Sequence, residues 1–201
     1  LKVYPSLAEY RGTVDQVVIA VPSHGVLEVA RQAVAKKAGA VVVISAGFRE
    51  IGEEGGRMQE ELAAVCRSGG ARLLGPNCLG LINTSAHLNS SFAGHMPHAG
   101  SIAVFSQSGA LCTAMLDLAG NRHIGLSKLI SIGNKADISE IDMLNALGRD
   151  SETKVIVGYL EDITSGDEFI KAAEDASNTK PVIILKSGTT AAGKKAAASH
   201  T

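Results

Sequence analysis

Tryptophan is absent from the 201 residues, and aromatic side chains make up only 3% of them. A core without large rings must be filled by Ala, Val, Ile and Leu, and the 22 glycines allow many tight strand-to-helix turns, a combination suited to α/β domains. Cysteine is nearly as scarce. Cys66, Cys78 and Cys112 are too few and too scattered for a disulfide framework or a CxxC metal site, so a reducing cytoplasm is the expected compartment. Excess charge is missing as well: the formal net charge is -1, which provides no broad positive field for nucleic acid or an anionic membrane. Long apolar runs are also lacking. Stretches such as Ala40 to Ile44 are strand-sized, far below the roughly 20 residues that cross a bilayer. Leu1-Lys-Val-Tyr-Pro5 has no initiator Met, basic n-region or apolar h-region, and reads as mid-protein sequence. What is present is a globular composition, 45% apolar and 19% charged.

Short β-branched runs alternate with stretches of helical periodicity, the pattern of a parallel sheet with crossover helices. Gln16 to Val21 reads as a strand, Val26, Val29, Ala30, Ala33 and Val34 as one helix face, and Ala40 to Ser45 as a second strand. Met58, Leu62, Val65 and Cys66 mark another helix, stopped by Gly69-Gly70 before a short strand at Arg72 to Leu74. This is half of a doubly wound unit. Between Asn77 and Gly100 the pattern lapses into Asn, Ser, His, Gly and Pro, so a domain boundary is placed there, after residue 96. The second half restarts with strands at Ser101 to Phe105, Lys128 to Ile132, Val155 to Leu160 and Pro181 to Lys186, separated by three helical stretches. Four strands and three helices predict a flavodoxin-like sheet.

In open parallel sheets ligands collect beyond the carboxyl ends of the strands. Ser106-Gln107-Ser108-Gly109-Ala110 follows one such strand and enters a helix, where unpaired N–H groups and the dipole favour an anion. The same residues also suit simple capping by Ser106 or Ser108, and both readings stand. Glu161, at the end of the next strand but one, can orient an imidazole or serve only as a helix-start carboxylate. His200 ends a glycine-containing, alanine-rich segment after the last strand. It reads either as a nucleophile toward phosphorus or as a solvated residue near a chain end. His24, His87, His95, His98 and His123 lack metal-ligand spacing, so no metal site is expected. In the first half, Val21-Pro22, Ser45-Ala46-Gly47 and Pro76-Asn77 follow strands and can line a nucleotide-like ligand. Glu50, Glu53 and Glu54 among glycines read as a solvated, mobile acidic loop. No complete GxGxxG fingerprint is present.

Taken in order, Ser45-Ala-Gly-Phe48 with Glu50 and Gly52, Gly75-Pro-Asn-Cys-Leu-Gly80, Ser106-Gln-Ser-Gly109, Ser131-Ile-Gly-Asn-Lys-Ala-Asp137, Tyr159-Leu-Glu161, Lys180-Pro181, Lys186-Ser-Gly188 and Ser199-His-Thr201 resemble one family. It is the nucleoside-diphosphate-forming acyl-CoA synthetases of the succinyl-CoA synthetase superfamily, and the likeness is greatest to the ADP-forming acetyl/acyl branch. The resemblance implies the C-terminal part of a Rossmann-like CoA-binding domain over residues 1–96 and a flavodoxin-like ligase domain over 97–201, cut short at the active-site histidine. It further implies that His200 is phosphorylated, that Glu161 orients it, that residues 106–110 cradle the phosphate, and that the first-half turns line coenzyme A. The implied reaction takes acyl-CoA, ADP and phosphate to carboxylate, CoA and ATP, with ADP/ATP and Mg held on an ATP-grasp partner subunit or fused domain. An oligomer is expected, and the 201 residues alone are expected to be inactive. The alternative is an acyl-CoA-sensing, non-catalytic region of a protein lysine acetyltransferase.

Overall fold

The computed structural model describes residues 2–188, so His200 lies outside the described residues. The chain divides into two compact units, one reaching Cys78 and taking in Asn134–Asp137, the other containing Leu79–Gly133 and the chain from Ile138 onward.

The first unit holds strands β1 (Gln16–Ile19), β2 (Ala40–Val43) and β3 (Arg72–Leu74) with helices α1 (Ser23–Ala35) and α2 (Glu53–Ser68). The strands are parallel, in the order β1-β2-β3, with Val17 opposite Val41 and Val41 opposite Leu73. Ile19, Val41, Val43 and Leu73 bury against Val26, Ala30 and Ala33 of α1 and Leu62 and Cys66 of α2. Each large side chain so buried contributes about 1.5–3 kcal/mol. Both helices end in a 6→1 and 5→2 pair of hydrogen bonds. In α1, Ala38 and Lys37 N–H donate to Ala33 and Val34 carbonyls, and in α2, Ala71 and Gly70 donate to Cys66 and Arg67. Lys37 takes the left-handed position of the first motif, with φ 58°.

The acidic stretch expected as a mobile loop is instead a 3-10 turn, Arg49–Ile51, carrying Glu50, followed by the first turn of α2. Glu53 and Glu54 sit at its start, where the dipole favours carboxylates. Gly55 permits the close approach, since a Cβ there would fall 1.9 Å from the Phe48 carbonyl oxygen.

The second unit is built on a six-stranded sheet in the order β5-β4-β7-β6-β8-β9. Its strands are β4 (Gly80–Asn83), β5 (Leu88–Ser91), β6 (Ala99–Ser106), β7 (Leu126–Ser131), β8 (Val155–Leu160) and β9 (Val182–Lys186). β6 to β9 are parallel, whereas β4 runs antiparallel to both β5 and β7. Helix α3 (Gly109–Asn121) buries Cys112, Leu116 and Ala119 on Ile82, Val104 and Leu129. Helices α4 (Glu140–Arg149) and α5 (Gly166–Ser177) pack on each other and on β8 and β9 respectively.

The units part between Cys78 and Leu79, 18 residues before the boundary placed after residue 96 from sequence. The lapse at 77–100 hides a hairpin of two four-residue strands, Gly-Leu-Ile-Asn and Leu-Asn-Ser-Ser, of which the second is polar and forms the edge of the sheet. The excursion at Asn134–Asp137 was equally invisible. It is fastened to the first unit by Asn134 N–H to the Pro76 carbonyl (2.9 Å), Ala136 N–H to that of Gly75 (3.1 Å), and Leu73 N–H to Asp137 Oδ2 (2.8 Å). Arg72 Nε adds a 2.9 Å ion pair to the same Asp137 oxygen.

Candidate functional site

Two strand-end rims carry the candidate residues, one in each unit. On the first, the three turns are stitched in series. Ser45 Oγ donates to the Val21 carbonyl at 2.5 Å, and Asn77 N–H donates to the Ser45 carbonyl at 3.0 Å. Val21, Pro22, Ser45, Ala46, Gly47, Pro76 and Asn77 therefore share one rim, with Pro22 as the residue before α1. Val21, Pro22 and Ala46 are exposed, while Pro76 is buried. Gly75 has φ 94°, and a Cβ there would lie 2.6 Å from the Val43 carbonyl oxygen, so the turn requires glycine.

Behind this rim lies a polar cluster that the sequence reading missed. Glu50 Oε1 accepts from Gly47 N–H (2.5 Å) and Phe48 N–H (3.1 Å), and Glu50 Oε2 accepts from Asn134 Nδ2 (2.6 Å). Asn134 Nδ2 also donates to Gln59 Oε1 (2.9 Å), and its Oδ1 accepts from Asn77 Nδ2 at 3.3 Å. Asn134 and Gln59 are buried at 5% and 8% exposure. Partial burial by itself raises the Glu50 pKa, but the bonds from Asn134, Gly47 and Phe48 outweigh it and hold the carboxyl below its ordinary value. The signal available in sequence was the place of Glu50 and Asn134 within the motifs that follow two strands.

On the second rim, Ser106 ends β6 and is fully buried. Its Oγ donates to the Ser108 carbonyl (2.9 Å) and accepts from Ser108 N–H (3.0 Å). Ser108 is the N-cap of α3, accepting from Leu111 N–H at 3.3 Å. Capping takes the Leu111 amide, and Cys112 N–H bonds the Ser108 carbonyl. Gly109 and Ala110 N–H, first in the helix, have no intrahelical acceptor. Ser131, opposite Ser106 on β7, is buried, and its Oγ has no partner among the described residues. That hydroxyl lies 3.9 Å from the place a Gly109 Cβ would take. Two amides, a dipole and an orphan hydroxyl suit one small anion.

Gln107 ties this turn to Glu161. Its Oε1 accepts from Glu161 N–H (2.7 Å) and Asp162 N–H (3.0 Å), its Nε2 donates to Asp162 Oδ1, and its own N–H donates to the Tyr159 carbonyl (3.1 Å). The Gln107 side chain is thus a clamp between loops. Lys186 Nζ donates to the Glu161 carbonyl (2.8 Å), and Ser187 N–H to that of Leu160 (2.9 Å). The chain that leads toward residue 200 therefore leaves from the rim that carries Glu161. The loop after Asp162 is held from beneath by fully buried Glu140, whose Oε1 accepts from Thr164 N–H at 2.6 Å.

Neither rim offers a reactive thiol from Cys66 or Cys112. Burial pushes Cys66 up to about 11, helped by the nearby Asp137 charge, and burial pushes Cys112 to about 12 despite a bond from Ser106; both stay protonated at neutral pH. Among the described residues no group of His, Cys, Asp and Glu could hold a metal ion, and no helix is long and apolar enough to cross a membrane.

Residues 99–201 match the succinyl-CoA ligase-like flavodoxin domain, and residues 1–84 match a CoA-binding domain. The chain belongs to the succinyl-CoA ligase-like family. This ligase-like chain is 41% identical over 198 residues to acetate–CoA ligase [ADP-forming] I of Archaeoglobus fulgidus, covering 98% of this chain and 29% of that one. It is 41% identical over 200 residues to the alpha subunit of acetate–CoA ligase [ADP-forming] I of Pyrococcus furiosus, covering 100% and 43%. Among solved structures it is similar to the dinucleotide-forming acetyl-coenzyme A synthetase 1 of Ca. Korarchaeum cryptofilum in complex with phosphate and ADP. That match has a TM-score of 0.94, 40% identity, and coverage of 100% of this chain and 43% of that one. The ligase-like chain thus spans less than half the length of these relatives.

Proposed function

We propose that the protein bearing this chain is an ADP-forming acyl-CoA ligase, converting acyl-CoA, ADP and orthophosphate reversibly into carboxylate, CoA and ATP. In this reading phosphate displaces CoA from the thioester to give an acyl phosphate. The imidazole of His200 then takes the phosphoryl group, the carboxylate leaves, and phosphohistidine delivers the group to ADP. Each chain element has a defined task. The amides of Gly109 and Ala110 carry negative charge on the transferred phosphoryl, and Ser106 and Ser108 fix the turn that presents them. Glu161 holds one imidazole nitrogen so that the other attacks. The first rim, from Val21 to Asn77, positions the CoA moiety, and ADP with Mg sits on an ATP-grasp partner, fused or separate. From Gly188 to His200 the chain can span roughly 40 Å when extended, ample for transfer between an acyl site and a nucleotide site.

The observation that carries the proposal is the Gln107 clamp, which holds the Glu161 backbone beside a helix start whose first amides lack intrahelical acceptors. The names of the relatives, all CoA ligases or synthetases, favour catalysis over the acyl-CoA-sensing alternative. The test is to incubate the full-length protein and its nucleotide-binding partner with ATP labelled in the γ-phosphate. Acid-labile, base-stable label on His200, discharged by acetate with CoA and absent from His200→Asn, is the expected result. Label that persists in His200→Asn, or none in the wild type, overturns the proposal.

A further inference from the structure

The first rim has an unusual property for a nucleotide-binding edge: its turn amides are already spoken for. After β2, Gly47 and Phe48 direct both N–H groups onto Glu50 Oε1, so the concavity that would receive a phosphate is filled by the chain's own carboxylate. Asn134 holds that carboxylate in place. One Asn134 Nδ2 hydrogen serves Glu50 and the other serves Gln59, its Oδ1 accepts from Asn77, and its backbone N–H bonds Pro76. A single buried amide side chain thus spans the turns after β2 and β3, each of its groups being used once. Neither its replacement by a hydrophobe nor its ionised analogue would preserve this pattern.

We infer that Asn134 is a positioning residue for the CoA rim, setting through Glu50 a turn that excludes phosphate and accepts the uncharged pantetheine portion. The inference rests on the CoA reading of that rim. Asn134→Asp sets a second carboxylate 2.6 Å from Glu50 Oε2 and must disturb the turn, because like charges so close cannot both remain ionised without moving. Glu50→Gln combined with Asn134→Asp restores one donor facing one acceptor with the polarity reversed, and Gln59 can turn its amide to suit.

The experiment measures the dissociation constants of CoA and pantetheine for the full-length protein by titration calorimetry, well below the melting temperature of every variant. Wild type is compared with Asn134→Asp, Glu50→Gln and the double variant. Asn134→Asp is expected to weaken both ligands by about tenfold or more, and the double variant to recover to within a few-fold of wild type, as coupled neighbours do. A merely structural role would lower the melting temperature and leave the affinity of the folded protein unchanged, which overturns the inference. Loss of CoA affinity with pantetheine affinity retained overturns the assignment of the turn to pantetheine. Failure of wild type to bind CoA at all overturns the CoA reading itself and is thereby distinguished from failure of this inference.

Discussion

The two rims solve the same geometrical problem in opposite ways. Each is formed by turns beyond parallel strands, where amides and dipoles point outward. In the first, a carboxylate from within the chain closes the amides of Gly47 and Phe48, and a buried asparagine locks it. In the second, capping by Ser108 consumes the Leu111 amide, and Gly109, Ala110 and the orphan Ser131 hydroxyl remain for something else. Strand-end position therefore says where a ligand approaches. The local supply of acceptors says which part of the ligand is welcome, and here it separates a self-satisfied edge from one that favours an anion.

The sharpest way to break the closed rim is Gly75→Ala. A methyl group would meet the Val43 carbonyl oxygen at 2.6 Å in a backbone with φ 94°. The expected loss is about 3–5 kcal/mol of stability, read by urea unfolding. An unchanged midpoint would mean that the turn relaxes freely. Gln107→Ala tests the open rim by removing the three bonds that join it to residues 161 and 162. A loss of about 2 kcal/mol is expected, with faster hydrogen exchange at the amides of Glu161 and Asp162. Uniform acceleration across the unit would contradict a local clamp.

Acid separates the rims next. The Glu50 carboxyl lies below its ordinary value in the folded state, so the stability it contributes is complete above the unfolded value. That contribution is lost as pH falls through the lower folded value. Asp150, held down by Lys128 and Thr153 against its burial, acts in the same direction. Carboxyl chemical shifts followed from pH 6 to pH 2 should show Glu50 titrating below the ordinary glutamate range. The smallest effect is expected at Ser131→Ala. Since the hydroxyl has no partner among the described residues, its removal should stabilise the ligand-free protein by up to about 1 kcal/mol. A loss instead would reveal a bond that the static structure lacks.

Much of this was legible in the chain. Alternation of β-branched and helical stretches located β1 to β3 and β6 to β9, because apolar residues cluster at each of these strands. The Ser106–Ala110 turn and Glu161 could be singled out because they follow such strands. The β4–β5 hairpin could not. Its buried positions, Gly80, Ile82 and Ser90, include one large apolar side chain, too few to make a period, and pairing with β7 across more than 40 residues leaves no local trace. Glu50 escapes notice for a related reason: its partner Asn134 is 84 residues distant in sequence, and an acidic residue among glycines looks solvated until that amide is brought to it. The Asn134–Asp137 excursion obeys no periodicity, since its four residues are held by backbone bonds to Gly75 and Pro76 and by the side chains of Asn134 and Asp137 acting on partners far away in sequence.

That excursion has a consequence for how the molecule can be made and dissected. A ribosome emitting this chain finishes β3 and the Gly75–Asn77 turn long before it supplies Asn134, so the carboxylate of Glu50 waits, without its amide lock, through the synthesis of more than fifty further residues. Cutting after Cys78 would freeze that unfinished state permanently, and the N-terminal piece obtained would be a sheet with an open lid where the native protein has a sealed one.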